Sequence, residues 1–118
     1  MGAAMRALLL PLVALAAAPL AAQGEVATAE RGAYSCELPG DAAGSAWIRQ
    51  PESDFRIRSA SRYKSAQGDG VYLRQGQILR FTSGPRAGES WLIVNTKLMR
   101  RLEADGTPGR LRCVRTGR

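Results

Sequence analysis

Arg56, Arg58, Arg62 and Lys64 recur at even positions among Phe55, Ile57, Ser59, Ser61 and Tyr63, with Ala60 the one neutral member of the even series. On a β-strand this period puts the four cations on one face and the apolar and small residues on the other. A strand running unbroken from Phe55 would carry them as a stripe about 27 Å long, at roughly 3.4 Å per residue. The chemistry such a stripe offers is anion binding, since arginine presents a planar fork of donors to phosphate or carboxylate. The competing reading is that these charges only solvate an outer face.

The catalytic inventory is thin. There is no histidine, and the cysteines are two, Cys36 and Cys113. A Ser-His or Cys-His nucleophile pair is therefore excluded. The cysteine spacing is not Cys-x-x-Cys, and no histidine is present to serve as ligand or base, so neither a metal site nor a thiol redox centre is expected. Glu52 with Asp54, and Glu103 with Asp105, sit two residues apart, but each pair flanks a turn signal where acids make local backbone hydrogen bonds. No Gly-x-Ser-x-Gly elbow occurs, and Gly68-x-Gly70 alone reads as a turn. A non-enzymatic protein without a cofactor is the expectation.

The elements that would position the cations come after a distinctive start. Met1 to Arg6 carries one cation, Ala7 to Leu15 is apolar, and Ala16 to Ala22 is rich in small residues. That is the three-part pattern of a secretory signal peptide over 1–22, its apolar core forming a signal helix, with cleavage after Ala22. The apolar stretch from Ala7 to Ala22 contains Pro11 and Pro19 and falls short of the roughly 20 residues a membrane-spanning helix needs, so no transmembrane anchor is expected after cleavage. The protein is expected to be periplasmic or secreted. Export would let Cys36 and Cys113 pair, and closing a loop of about 78 residues stabilises a fold by roughly 4.5 kcal/mol in the chain-entropy model. Two free buried thiols are the alternative.

Seventeen Lys and Arg less Arg6 leave sixteen cations against ten Asp and Glu, a net charge of +6 for the chain beyond the signal peptide. Only Lys64 and Lys97 are lysines. The balance favours an acidic partner, although a coding bias toward arginine would produce the same composition. Arg110, Arg112, Arg115 and Arg118 form a second basic cluster near the end of the chain, which reads as a basic tail.

Residues 23–31 are polar and small without a clear period and read as a flexible leader. From Gly32 the pattern becomes short alternating segments punctuated by Gly, Pro, Asp and Asn about every ten residues, the signature of a single all-β domain over 32–118. The segments predict about eight strands: one through Tyr34, Cys36 and Leu38, one over Ala46–Gln50, one from Phe55 to Tyr63, and a hairpin joining Val71–Arg74 to Gln77–Thr82 through Gln75-Gly76. The apolar run Trp91–Val94, the segment Lys97–Leu102 and a last strand through Leu111 and Cys113 follow; Lys97–Leu102 also suits a short helical turn. Trp47, Trp91, Tyr34 and Tyr72 are candidates for a pocket lining, with the core the commoner place for them. Bonded cysteines on the first and last strands would bring the ends of the antiparallel meander together, so a small barrel, closed or nearly closed, is expected, with a two-sheet sandwich as the alternative.

The runs Tyr34-Ser-Cys-Glu-Leu-Pro-Gly-Asp41, Ser59-Ala-Ser-Arg-Tyr63, Phe81-Thr-Ser-Gly-Pro85 and Leu111-Arg-Cys-Val114 carry a likeness over nearly all of the chain beyond the leader. By these runs the chain resembles a group of short exported bacterial proteins of unassigned function, some of which carry the label elongation factor P. A true elongation factor P is a cytosolic, three-domain, tRNA-shaped protein of nearly twice this length, and the residues here follow no such plan. Tyr34, Cys36 and Ser83-Gly84 are also similar to the opening element and inhibitory loop of periplasmic lysozyme inhibitors, which implies a loop at Ser83 to Glu89 that blocks a hydrolase. The positive charge departs from that likeness, because a basic lysozyme would repel this domain.

These readings converge on an exported, monomeric, non-enzymatic β-barrel whose partner is an anionic envelope polymer or lipid head group, held by Arg56, Arg58, Arg62 and Lys64. Nucleic acid would suit the charge but not the compartment. An inhibitor of a lysozyme or other hydrolase is the alternative.

Overall fold

The computed structural model describes residues 26–118, whose alternating pattern forms ten strands and a single 3-10 turn at Pro51–Ser53. The expected signal peptide over 1–22 lies outside the described residues. The strands are β1 (Val26–Ala27), β2 (Gly32–Pro39), β3 (Trp47–Arg49), β4 (Phe55–Ile57), β5 (Arg62–Ser65), β6 (Gly68–Gln75), β7 (Ile78–Phe81), β8 (Ser90–Asn95), β9 (Leu98–Leu102) and β10 (Pro108–Gly117). Eight of them form a closed ring in chain order, from β2 through β4 to β10 and back to β2, every pair antiparallel. The architecture is a closed up-and-down barrel, not a sandwich. Closure leaves no free edge in the ring itself, and β1 and β3 add short pairings to the far ends of β6 and β2.

The seam between β2 and β10 carries the disulfide. Cys36 and Cys113 are direct register partners, joined by a sulfur–sulfur bond with their Cα atoms 3.9 Å apart. Both are fully buried.

Alternation decides which side chains fill the interior. Tyr34 and Cys36 on β2, Phe55 and Ile57 on β4, Tyr63 on β5, Tyr72 on β6, Leu79 and Phe81 on β7, Trp91 and Ile93 on β8, and Met99 on β9 form one buried cluster. Tyr63 stacks on Phe81 with ring centroids 3.9 Å apart, and Phe55 lies between Tyr34 and Trp91 at 5.1 and 5.2 Å. An eight-stranded barrel is just wide enough for such side chains, so the centre is occupied by core residues. Tyr34, Tyr72 and Trp91 therefore belong to the core. Trp47 on β3 is instead partly exposed, with the Arg112 guanidinium carbon 3.3 Å from its ring centroid.

Local chemistry sets the connections. The β6–β7 hairpin turns on Gly76-Gln77, one residue later than expected, because Gln75 pairs with Ile78 and Gly76 takes φ +59°. A glycine at positive φ in the first central position is what a type II′ turn requires. The segment at 98–102 is strand, since Met99 must face the core between Ile93 and Cys113.

The leader is tied down over its described part. Where composition alone suggests flexibility, β1 pairs with β6, the Ala29 amide donates to the Tyr72 hydroxyl at 3.0 Å, and the Tyr34 hydroxyl donates to the Glu30 carbonyl at 2.8 Å. Arg74 and Arg115 donate to the Thr28 and Arg31 carbonyls at 2.8 and 2.6 Å. The small polar residues here satisfy their backbone through the barrel rim, a long-range arrangement that composition does not encode.

Candidate functional site

The stretch from Phe55 to Tyr63 is not one strand. The chain reverses between β4 and β5, with Arg58 N–H donating to the Arg62 carbonyl at 2.9 Å, so the expected 27 Å stripe is replaced by a hairpin. Ile57 pairs with Tyr63, and Arg56 pairs with Lys64. The alternation hides the reversal because paired positions have the same parity: Ile57 and Tyr63 both point inward, as they would on a continuous strand. The cations are consequently stacked as two rungs about 7 Å apart, two residues along the strand. Directly opposed like charges disfavour the fold unless something neutralises them.

Little in the protein does so. The ion pairs among the described residues are Arg49–Asp54, Arg86–Glu89 and Arg112–Glu37, and none involves Arg56, Arg58, Arg62 or Lys64. Asp69 faces Lys64 from β6 without forming such a pair.

On its Arg56–Arg58 side the hairpin pairs with β2, and the C-terminal strand lies on the far side of β2. A cleft of about 530 Å³ is lined by Arg56 and Arg58, by Arg115 and Arg118, and by residues 28–32 of the leader, including Glu30 and Arg31. Gly32 at its floor takes φ +137°, and a Cβ there would run into the Gly117 carbonyl oxygen. That close approach brings the end of β10 against the start of β2, with Arg115 and Arg118 across β2 from Arg56 and Arg58 and lining the same cleft. Five arginines and one acidic residue thus line one opening. The side chains of Arg31, Arg58, Arg118 and Glu30 are all on exposed residues, with no side-chain hydrogen bond or ion pair among the described residues. Arg62 and Lys64 lie outside the cleft; Arg62 borders a smaller depression with Arg58 and Asp69, and Lys64 a shallow groove with Arg49 and Arg56.

Beneath the cleft, burial pushes the Tyr34 phenol up to about 12, against the opposing pull of Arg115, and raises Tyr72 as well. Both phenols are neutral supports for the leader carbonyls and amides at ordinary pH.

The basic tail divides in two. Arg115 and Arg118 enter the cleft, whereas Arg112 pairs with Glu37 at 2.6 Å and lies over Trp47. Arg31 and Glu30 were invisible as site residues in the sequence, because a leader without periodicity gives no sign of its position on the rim.

Arg86 is the other residue that pattern does not reveal. Its guanidinium is buried, forms a two-pronged pair with Glu89 at 2.8 and 2.9 Å, and donates to the Asp54 and Ser53 carbonyls at 3.0 Å each. It also lies 5.6 and 5.5 Å from the Phe55 and Phe81 ring centroids. The loop expected to be inhibitory is therefore folded over one mouth of the barrel, with Ser83 accepting from the Tyr63 hydroxyl through its carbonyl and from the Val71 amide through its side chain.

Of the acidic residues expected to make local turn bonds, Asp105 does so and Asp54 does not, its carboxylate reaching instead to β2 eighteen residues away. Asp54 accepts from the Cys36 amide and pairs with Arg49, and Asp105 accepts from the Thr107 amide and hydroxyl, which holds its carboxyl below the usual range.

Charge is unequal between the two barrel mouths. At the mouth where β2, β5, β7 and β9 begin, the connecting residues include Arg31, Arg58, Lys97 and Arg118 against Glu30. At the other, they include Asp41, Glu52, Asp54, Glu89, Glu103 and Asp105 against Arg49 and Arg86. No family model, curated protein or solved structure matches the chain.

Proposed function

We propose that the protein is an exported, non-enzymatic barrel that binds an anionic component of the cell envelope, a polymer or a lipid head group, through its basic mouth. The observation that carries this reading is the convergence of Arg56 and Arg58 with Arg31, Arg115 and Arg118 on one cleft, without enough carboxylates to balance them. Crowded like charges gain most from a ligand that brings the opposite sign, and a one-sided potential steers such a ligand to that mouth. The disulfide supports a destination in an oxidising compartment, periplasmic or secreted. No helix among the described residues is long and apolar enough to cross a membrane.

The test is binding of envelope fractions at low salt by wild type and by the triple variant Arg56→Glu, Arg58→Glu, Arg62→Glu. Wild type should sediment with the fraction and release as salt rises, because exposed charges are screened over about 10 Å at 0.1 M ionic strength. Equal binding by the variant would sink the proposal. An inhibitor acting through Ser83 to Glu89 has weaker support, since Arg86 and Glu89 are committed to each other inside the loop.

A further inference from the structure

Resting on that reading, we infer that the cleft takes a phosphomonoester attached to a hydroxyl-bearing group, as in a phosphorylated sugar, in preference to the carboxylates of an acidic polymer. Its volume, about 530 Å³, is the size of a pocket for one small ligand and not of an extended track. Five arginines line it with Glu30 as the one acidic residue, so an occupant that brings more than one negative charge suits the site better than one that brings a single charge. A sugar carboxylate brings one. A phosphomonoester brings about −1.5 to −2 at neutral pH and three acceptor oxygens in a smaller volume, which matches several converging forks.

Glu30 gives the second half of the recognition. An acid in an anion site opposes the ligand's charge unless it accepts from the ligand's donors, and the Glu30 carboxylate has no ion-pair partner among the described residues. Sugar hydroxyls are such donors. The backbone beside it is fixed by the Tyr34 hydroxyl on the Glu30 carbonyl and by Arg115 on the Arg31 carbonyl, so the points from which these two exposed side chains reach out are set before a ligand arrives.

The experiment is calorimetric titration of the purified protein at low salt with glucose 1-phosphate, inorganic phosphate and glucuronate, repeated with Arg58→Gln, Arg118→Gln and Glu30→Gln. Near-ultraviolet circular dichroism checks that each variant stays folded. Glucose 1-phosphate should bind at least tenfold more tightly than glucuronate. Arg58→Gln and Arg118→Gln should each weaken it about tenfold, the size expected for losing one charge-assisted contact. Glu30→Gln should narrow the preference for glucose 1-phosphate over inorganic phosphate. A parallel arm measures binding to phosphatidylcholine vesicles with and without phosphatidylinositol 4-phosphate, whose head group is a phosphomonoester on a hydroxyl-bearing ring. Binding to the soluble ester identifies a free ligand, and binding only to the doped vesicles identifies a head group at a surface.

Equal affinity for glucuronate and glucose 1-phosphate, or no binding to either the soluble ester or the doped vesicles, overturns the inference. If envelope binding is nevertheless abolished by the triple charge reversal, the broader proposal survives that failure. If the reversal has no effect on envelope binding, both fall.

Discussion

Cys36 and Cys113 face each other across the one junction of the barrel at which the first and last strands of the ring meet, and the bond between them runs from strand to neighbouring strand. Its sequence separation of 77 residues makes it a restraint on almost the whole domain. Replacing both by serine should lower stability by about 2–5 kcal/mol, chiefly by freeing the unfolded chain. Urea unfolding of the variant, beside wild type with and without reductant, measures it. A midpoint unmoved by mutation and reductant alike would show that the strand pairing alone holds the seam.

Arg86→Met should be more damaging than its place in a surface loop suggests. It leaves Glu89 and the Ser53 and Asp54 carbonyls without their donor, and breaking a buried pair from one side costs about 3–5 kcal/mol. The double variant Arg86→Met, Glu89→Leu should recover part of the loss, because the stranded carboxylate is gone. Thermal unfolding of the two variants checks the order; a double variant less stable than the single would contradict it.

Stability should fall at high pH through Tyr34. Its phenol is raised from 10.0 to about 12 in the folded protein, so the folded state holds its proton more strongly than the unfolded chain does. The associated stability is fully present below pH 10 and is lost as pH climbs toward 12. Tyr34→Phe, which cannot ionise, should flatten that part of the profile, though it also loses the bond to the Glu30 carbonyl. Melting temperature against pH from 8 to 12 is the measurement, with an unchanged slope in the variant as the contrary result.

Gly32→Ala should disturb the cleft from its floor. The backbone there is at φ +137°, and an added Cβ meets a backbone carbonyl that has no flexible way to yield. A loss of about 1–3 kcal/mol is expected from such a strained position. Amide chemical shifts in β2 and at Arg115–Gly117 should move together, and a change confined to residue 32 would show that the end of β10 does not lean on this glycine.

Much of the frame was legible because its signals are local. Tyr34, Cys36, Phe55, Leu79, Phe81 and Cys113 announce their inward direction by alternation, and Gly and Pro mark the turns between them. The hairpin at 58–62 was not legible, since reversing the chain preserved the parity of its neighbours. Arg86 was hidden for another reason: its acceptors at Ser53 and Asp54 lie more than thirty residues away, and only the closed barrel brings them near. Two of the six charged residues of the site, Arg56 and Arg58, followed the cation pattern. Arg31, Glu30, Arg115 and Arg118 joined it by register and close approach, which no single segment encodes.

An interior packed with rings has a consequence for how this domain can change over evolutionary time. Any recognition would therefore fall to side chains at the lip, of which those of Arg31, Arg58 and Arg118 are exposed and make no bond to the wall among the described residues. The lip is therefore open to wholesale rewriting of its charge, and descendants of one frame can acquire unrelated ligands while keeping an almost identical skeleton.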